Sequence, residues 1–302
     1  MSSTTTPVEP APPGDPAPPG DLAALAEHWG LRSSAVRQPL SSYLRELWQR
    51  RDFIKAMATG RKSSQYRDTV LGRLWQVLAP ILNAIVYYLI FGLLLQTSKG
   101  VENYPAFLIV GVFTFTYTQR CVTGGTKAVA NNRQLIRAIH FPRAVLPLAV
   151  IWQEIQQQVV SLGILAIIVL LTGEPITWLW LGVLPVSILQ TMFNTGLCMA
   201  VARLTAASRD FAQLLPFLMQ TWRYLSGVMF SIPVFTADLA PWVEKVMYLN
   251  PLTAYIEMMR HCLISSYRAP WELWAVGAAW AVVSVLAGFL YFYRAEETYS
   301  RG

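Results

Sequence analysis

The chain has 302 residues, of which 54% are hydrophobic and only 14% are charged, and its mean hydropathy is +0.38. This balance excludes an ordinary soluble domain of that length and indicates an all-α polytopic membrane protein. The formal net charge of +7 agrees with a positive-inside distribution of Lys and Arg, which makes a membrane protein basic without any polyanionic ligand. We therefore expect membrane lipids, and no nucleic acid, among its partners.

Residues 1–40 predict a disordered or weakly ordered cytoplasmic tail. They are rich in Pro, Ala, Ser and Thr, and the first basic residue among them is Arg32. They also lack the apolar core of a signal peptide or of a membrane span.

Residues 41–60 predict an amphipathic helix at the membrane interface. Helical spacing places several apolar side chains on one arc and most polar ones elsewhere. The apolar arc contains Tyr43, Leu44, Leu47, Trp48, Ile54 and Ala58. Trp48 would lie among lipid headgroups, and Arg51 would meet anionic lipid. A small soluble helical domain is the weaker alternative, because too few apolar residues precede this helix to build a core.

Six apolar segments are long enough to cross a bilayer at about 1.5 Å per helical residue. The predicted transmembrane helices are Leu74–Leu95, Pro105–Lys127, Val145–Thr172, Trp178–Leu204, Phe211–Phe230 and Leu273–Tyr293. Residues 231–268 carry apolar pieces that are too short to cross, which is typical of re-entrant helices. If the N-terminus is cytoplasmic, 18 basic residues lie inside and four, including Arg260, lie outside. This distribution predicts a multi-pass protein of the cytoplasmic membrane with both termini in the cytoplasm.

Charged side chains within the predicted spans are the first functional candidates, because each is costly in lipid. Arg120 in the second span and Glu154 in the third lie at a similar predicted depth. One interpretation is an ion pair that joins adjacent helices, and the other is a hydrophilic passage. Arg223 in the fifth span has no obvious acidic partner within a span. It is the better candidate for a water-filled path or for an anionic group on a cargo.

Aromatic side chains of the first and fifth spans could present flat faces to sugar rings, since they combine an apolar surface with a polar handle. They are Tyr87, Tyr88, Phe91, Trp222 and Tyr224. The alternative is that Trp and Tyr collect at the two surfaces of the bilayer, as they do in membrane proteins generally.

The connection between the second and third spans, Asn131–Arg143, predicts a short amphipathic helix that docks into the groove of a partner. Basic and apolar side chains are interleaved along it. The candidate docking residues are Arg133, Leu135, Ile136, Arg137, Ile139, His140, Phe141, Pro142 and Arg143. The alternative is a positive-inside loop, but a merely connecting loop need not carry so many apolar side chains.

The sequence contains no GxxxxGK(S/T), HExxH, GxSxG or DDxxD motif, so ATP hydrolysis and bond cleavage have no recognisable site. Cys121, Cys198 and Cys262 are widely separated and indicate neither a disulfide framework nor a metal site. We therefore expect a transport subunit rather than an enzyme, with no cofactor or metal of its own.

Four short motifs, taken in their order along the chain, carry a resemblance to a known family. They are YRDTVLGRLWQVLAP (Tyr66–Pro80), FPR (Phe141–Arg143), RD (Arg209-Asp210) and LNP (Leu249–Pro251). With the preceding interface helix they resemble the ABC-2 type permeases that export polysaccharides, and the match covers residues 41–294. The segment SGVMFSIPVF departs from the Ser-Pro-Ile/Val element of many relatives.

This resemblance implies that residues 61–302 form a six-helix ABC-2 transmembrane domain. It implies a homodimer with two separate ATPase subunits, which bind ATP and Mg²⁺. Residues 131–143 would be the coupling helix, spans one and five of both protomers would line the path, and residues 231–268 would form re-entrant helices at the outer mouth.

The cargo implied by the resemblance is a polysaccharide linked to a polyprenyl diphosphate. Four basic residues near the inner face are candidates to receive the diphosphate, and the alternative is that they are snorkelling anchors. They are Arg51, Arg61, Lys62 and Arg67. The excess of Arg over Lys indicates a GC-rich genome and, with the resemblance, a cell-wall galactan as the polysaccharide.

Three other functions stay open at the level of the sequence. The first is an ABC-2 permease for a drug or a lipid. The second, from another class, is a polytopic membrane enzyme acting on lipid-linked sugars, for which no catalytic constellation is present. The third is a channel or proton-coupled carrier, which the layer containing Arg120 and Glu154 would permit.

Overall fold

The computed structural model describes residues 40–64, 74–94, 101–139 and 141–296. Within these residues the regular elements are all helical, and no strand is present, which confirms the all-α class. The predicted N-terminal tail, apart from Leu40, lies outside the described residues.

The described residues contain twelve α-helices. In order they are α1 Leu40–Gln49, α2 Arg51–Ser64, α3 Trp75–Tyr87, α4 Tyr104–Ala128, α5 Arg133–Ala138, α6 Val145–Leu171, α7 Val183–Ala207, α8 Arg209–Leu225, α9 Ile232–Thr236, α10 Pro241–Leu249, α11 Pro251–Leu263 and α12 Glu272–Arg294. A π-helix, Tyr88–Leu94, continues α3, and the 3₁₀ turns Ala130–Asn132 and Trp178–Gly182 precede α5 and α7.

Three of the described helical segments are both long and apolar enough to cross a membrane. They are Val145–Leu171, Trp178–Ala207 and Glu272–Arg294. These segments agree with the third, fourth and sixth predicted spans, which are thereby confirmed as helices that could cross a membrane. The six-span count and the re-entrant region stay predictions. Helices α3 and α8 contain only 13 and 17 residues, and α4, although it has 25 residues, is not among the three segments.

Helix α4 lies in the centre of the main core. Most of its side chains are buried, and α6, α7 and α11 pack around it. Asn103 caps its start by accepting a hydrogen bond from the Ala106 N–H at 3.2 Å, and Pro105 occupies the first turn. Its 25 residues extend about 37 Å at 1.5 Å per residue, and this length positions side chains at several depths of the bundle.

The first predicted span is not one regular α-helix. It is α-helical from Trp75 to Tyr87 and π-helical from Tyr88 to Leu94. A π-helical segment changes which face successive side chains occupy, and such segments are frequent at functional sites. The change occurs directly after Tyr87, whose hydroxyl accepts a hydrogen bond from Arg223 of α8.

The predicted interface helix consists of two helices, α1 and α2, which adjoin at Arg50. The predicted apolar arc divides between two environments. Tyr43 and Leu47 are buried within the protein, whereas Leu44 and Trp48 are exposed. The predicted arc is therefore two surfaces, of which Tyr43 and Leu47 pack against the protein and Leu44 and Trp48 stay available for lipid; the position of the helix at the membrane interface stays a prediction.

Glu174 holds the turn between α6 and the following helix. Its carboxylate accepts hydrogen bonds from the Ser265 N–H and hydroxyl, each at 2.8 Å, and from the Asn103 amide at 2.9 Å. Burial raises the pKa of this carboxyl, but the hydrogen bonds outweigh burial and leave the pKa below its usual value. These bonds connect three separate parts of the chain at one end of the bundle.

Helices α7 and α12 make the most extensive helix–helix contact of the described structure. Gly196 of α7 and Gly288 of α12 face each other at the crossing. A Cβ on Gly196 would overlap the Ser284 carbonyl, and a Cβ on Gly288 would overlap the Gly196 carbonyl. Small residues at such a crossing let two helix backbones approach closely, which is a main source of helix association in lipid.

Replacing Gly196 by Ala should destabilise the protein by about 1–3 kcal/mol, the usual cost of overpacking, because the new methyl group meets backbone atoms. Thermal unfolding of the detergent-solubilised protein measures the loss. Gly163→Ala in α6 is the matched control, since no atom lies within 4 Å of the new Cβ there. Equal melting temperatures for the two variants would contradict the close crossing.

Candidate functional site

Arg223, in the last turn of α8, connects three helices. Its guanidinium donates a hydrogen bond to the Tyr87 hydroxyl at 2.5 Å and another to the side-chain oxygen of Gln119. It also lies 4.9 Å from the centre of the Phe115 ring. Arg223 is 8% exposed, and no carboxylate among the described residues forms an ion pair with it. Neutral oxygens and aromatic rings therefore surround this cation.

The other predicted path residues do not form one open row. Tyr88 packs beside Tyr104, with ring centres 6.4 Å apart. Tyr224 is 45% exposed, and its hydroxyl accepts a hydrogen bond from the Gln220 amide at 2.9 Å. The side chain of Phe91 lies outside the described residues. The structure thus brings Tyr87 to Arg223 and leaves Tyr224 at the surface.

Trp222, also predicted to line the path, is bound by Asn250 of the LNP motif. The Asn250 side-chain oxygen accepts hydrogen bonds from the Trp222 indole N–H at 2.9 Å and from the Leu252 N–H at 3.1 Å. Its amide group donates to the Ser226 hydroxyl at 3.2 Å. Asn250 is therefore the N-cap of α11 and at the same time binds the end of α8. The asparagine of the LNP motif thus has a structural role: it begins α11 and holds Trp222 in place.

Helix α8 and the helical segment containing α3 present apolar side chains that no other described residue covers. Those at least 40% exposed are Trp75, Leu82, Ile85, Val86, Leu89, Ile90, Leu93, Leu94, Leu214, Phe217, Leu218, Tyr224 and Leu225. Apolar surface of this extent is covered by lipid or by another protein chain.

Arg120 and Glu154 form an ion pair between α4 and α6. The Arg120 Nε donates to Glu154 Oε2 at 3.0 Å, and its Nη2 donates to the Gln158 side-chain oxygen at 3.3 Å. Both side chains are mostly buried. Asn194 of α7 is fully buried as well. The contact matches the interhelical pair that was one of the two interpretations of these charges.

A second buried ion pair was missed by the sequence reasoning. Glu257 and Arg260, three positions apart on α11, are almost without exposure and lie 2.9 Å from each other. The guanidinium also donates to the carbonyl oxygens of Phe107, Gly227 and Val228 at 2.8–3.2 Å. Arg260, which the sequence count places on the outer side, therefore carries its charge in the protein core and not at an exposed surface. The available signal was the Glu-x-x-Arg spacing within an apolar helix.

The predicted coupling segment is helical only in part. Helix α5 covers Arg133–Ala138, and Ile139 has extended backbone, so the helix predicted over residues 131–143 is too long. Pro142 has no N–H and disfavours helical backbone at Phe141, which explains why the chain does not continue as a helix.

The side chains of this segment have different environments. Leu135 and Ile136 are partly buried and pack against the core that contains Phe141, and Arg143 is buried too. Arg133 and Ile139 are exposed. His140 and the side chain of Arg137 lie outside the described residues. Among the described candidate docking residues, the exposed ones are therefore one basic and one apolar side chain, and the loop after them, residues 141–144, is buried.

The candidate diphosphate-binding residues are described only in part. Arg51 is exposed, and its guanidinium lies 5.6 Å from the centre of the Trp48 ring. Arg61 and Lys62 belong to α2, but their side chains lie outside the described residues, as does the whole of Arg67.

Comparison with known proteins identifies the family. The family model of the ABC-2 type transporter matches residues 53–264, which is well over half of the chain, and the chain belongs to that family. Family membership and the long apolar helices make it a membrane protein and imply partnership with an ABC ATPase. Permeases of this family are transport subunits, which agrees with the expectation that the chain is not an enzyme.

Two relatives are similar over most of their length. The O-antigen export system permease protein RfbA of Myxococcus xanthus is 26% identical over 226 residues, which are 75% of this chain and 82% of the relative. A protein of the same name from Klebsiella pneumoniae is 26% identical over 197 residues, which are 64% of this chain and 72% of the relative.

Replacing Arg260 by Met should destabilise the protein by about 3–5 kcal/mol, because Glu257 would stay buried without its partner. Thermal unfolding in detergent measures the effect, and the additional substitution Glu257→Leu should recover part of it. Arg268→Met, at an exposed position after α11, is the control. A melting temperature that falls equally in the control would contradict the assigned role of the buried pair.

Proposed function

We propose that the chain is the membrane-spanning permease subunit of an ATP-driven exporter, whose cargo is a polysaccharide linked to a polyprenyl diphosphate. The observation that carries this proposal is the similarity over 82% of the length of a permease named for O-antigen export. With it we propose six transmembrane helices and re-entrant helices before the last one. The protein would lie in the cytoplasmic membrane with both termini in the cytoplasm.

The proposed assembly is a homodimer in which α3 and α8 of the two copies border the path. Its support is the uncovered apolar surface of these helices, which a second copy would cover. Arg223 has only neutral partners, and its Nε has no hydrogen-bond partner among the described residues. A passing diphosphate would supply an anionic partner to this guanidinium. The aromatic path residues around it would contact the sugars.

The proposed coupling partner is an ABC ATPase present in two copies, which hold ATP and Mg²⁺. Exposed Arg133 and Ile139 give the coupling segment a charged and an apolar side chain for a groove on that partner. The buried Phe141 and Arg143 would then connect the docking site to the helix bundle rather than bind the ATPase directly.

The lipid carrier would approach along α1 and α2. Exposed Arg51 beside exposed Trp48 suits a phosphate at the membrane surface, with Arg61, Lys62 and Arg67 as further candidates. The competing role of these residues is to anchor the helices to headgroups. For the polysaccharide itself we propose a cell-wall galactan.

Transport of a lipid is the second candidate function. An apolar groove of about 270 Å³ lies between α3, α4 and α6, and no polar surface lines it. Its walls include Ile81, Ile85, Tyr88, Ile109, Phe113 and Ile168. A site of this chemistry accepts a hydrocarbon chain, which a polyprenyl carrier and a lipid cargo both possess.

Depletion of the chain should retain lipid-linked polysaccharide on the cytoplasmic side while its synthesis continues. Right-side-out and inverted vesicles are treated with a membrane-impermeant labelling reagent before lipid extraction, and mass spectrometry of the labelled lipids then shows the side and the cargo. Complementation with the intact chain is the control. Polysaccharide that reaches the outer side unchanged would contradict the proposed cargo, and a retained phospholipid or drug would favour the second candidate.

Charge reversal at the coupling segment, Arg133→Glu, should lower the amount of co-purified ATPase by about tenfold, because it places repulsion at the docking site. The amount is measured after affinity purification of the permease. Arg45→Glu on α1, which is also exposed, is the matched control. Equal recovery of the ATPase with both variants would remove the docking role from Arg133.

A further inference from the structure

The backbone N–H groups just before α6 are bound by side chains from the two ends of the described chain. Helix α6 begins at Val145, and its N-cap residue, Ala144, has no polar side chain to cap it. The Ala144 N–H donates instead to the hydroxyl oxygen of Tyr43 at 3.2 Å. The preceding N–H, of Arg143, donates to Glu296 Oε1 at 3.0 Å. Two other elements therefore satisfy donors at this helix start.

Glu296 binds Arg143 through its side chain and through its backbone. Besides accepting the backbone N–H, it accepts a hydrogen bond from Arg143 Nη1 at its own carbonyl oxygen, at 2.6 Å. The distance from Nη1 to Glu296 Oε1 is 3.9 Å, and both side chains are largely buried. A carboxylate near a helix N-terminus is favoured by the helix dipole. Burial raises the pKa of the Glu296 carboxyl, while the Arg143 N–H and charge act against this rise.

Aromatic rings fill the space around these bonds. The Tyr43 ring packs edge-on against Tyr293 of α12 with ring centres 5.1 Å apart. Phe53 of α2 contacts Phe141 in the same way at 5.7 Å. Helix α1 through Tyr43 and helix α2 through Phe53 thus contact the loop that leads from α5 to α6, and Glu296, two residues after α12, binds it too.

We propose that Tyr43 and Glu296 are positioning residues for energy coupling: they hold the loop Phe141–Ala144 so that movement of the coupling segment reaches α1 and α12 as well as α6. The proposal rests on the proposed function, because it takes residues 131–143 as the segment that binds the ATPase. If the loop were connected to α6 alone, movement of the coupling segment would displace only α6. Bonds to Tyr43 and Glu296 make three elements respond to one displacement.

The test uses the full complex of the permease with its ATPase, in nanodiscs, with and without a non-hydrolysable ATP analogue. In the wild type, the nucleotide should change hydrogen exchange in the coupling segment, in α1 and at the end of α12. In Glu296→Ala the change should stay in the coupling segment. Cargo exported per ATP hydrolysed should fall by about five- to tenfold, while the co-purified ATPase is unchanged.

Two further variants make the test specific. Tyr43→Phe removes the oxygen that accepts the Ala144 N–H and keeps the ring, so it should lower the export-to-ATP ratio without loss of the aromatic packing. Glu272→Ala, at an exposed position at the opposite end of α12, should behave as the wild type in both measurements.

The outcomes separate this proposal from the proposed function. A wild-type complex whose exchange does not respond to nucleotide, or from which no ATPase is recovered, would overturn the proposed function. A responding wild type with an unchanged response of α1 and α12 in Glu296→Ala would overturn only the positioning role. If Glu296→Ala does not fold, Tyr43→Phe decides by the same two readouts. Glu296→Gln, which keeps an oxygen acceptor for the Arg143 N–H, should stay close to the wild type in both.

Discussion

A guanidinium without access to solvent is the constraint on which the rest of the structure depends. A buried charge is stable only when it is paired and hydrogen-bonded, and Arg260 meets this requirement with the Glu257 carboxylate and with the carbonyl oxygens of Phe107 and Gly227. These carbonyls belong to α4 and to the chain after α8, so one side chain fixes α11 against both. Gly111 leaves the necessary room, because a Cβ there would lie 2.7 Å from the guanidinium.

The same network fixes the C-terminal end of α8. Gly227 has a left-handed φ of 64° directly after this helix, a conformation that glycine adopts without strain, and its carbonyl is held by Arg260. Asn250 binds Trp222 in the last turn, and Arg223 binds Tyr87 of α3. The end of α8 is therefore fixed in three directions while apolar side chains along its length stay exposed. Such a helix provides a rigid surface for a second copy or for lipid, which is the basis of the proposed path.

Sequence reasoning was most accurate where a structural feature depends on neighbouring residues. The bounds of α4, α6 and α12 lie within one or two residues of the predicted spans, because a long and mainly apolar segment without a helix-breaking residue in its interior predicts a long helix wherever it lies. It was less accurate for the coupling segment, where Pro142 and the extended Ile139 shorten the helix. It also treated the apolar arc of α1 as one surface, although Tyr43 faces the protein and Trp48 does not.

By itself, the sequence determined the helical class, three of the apolar helices long enough to cross a membrane, and the resemblance that the family match confirms. Only the tertiary structure decided which polar groups meet. Glu296 and Arg143 are 153 positions apart, and Arg223 finds Gln119 and Tyr87 on two other helices. The physical reason is that hydropathy and helical periodicity are local properties. They report, over a few helical turns, whether side chains prefer an apolar environment or water. The partner of a buried polar group depends instead on how distant helices pack, and no local pattern carries that information.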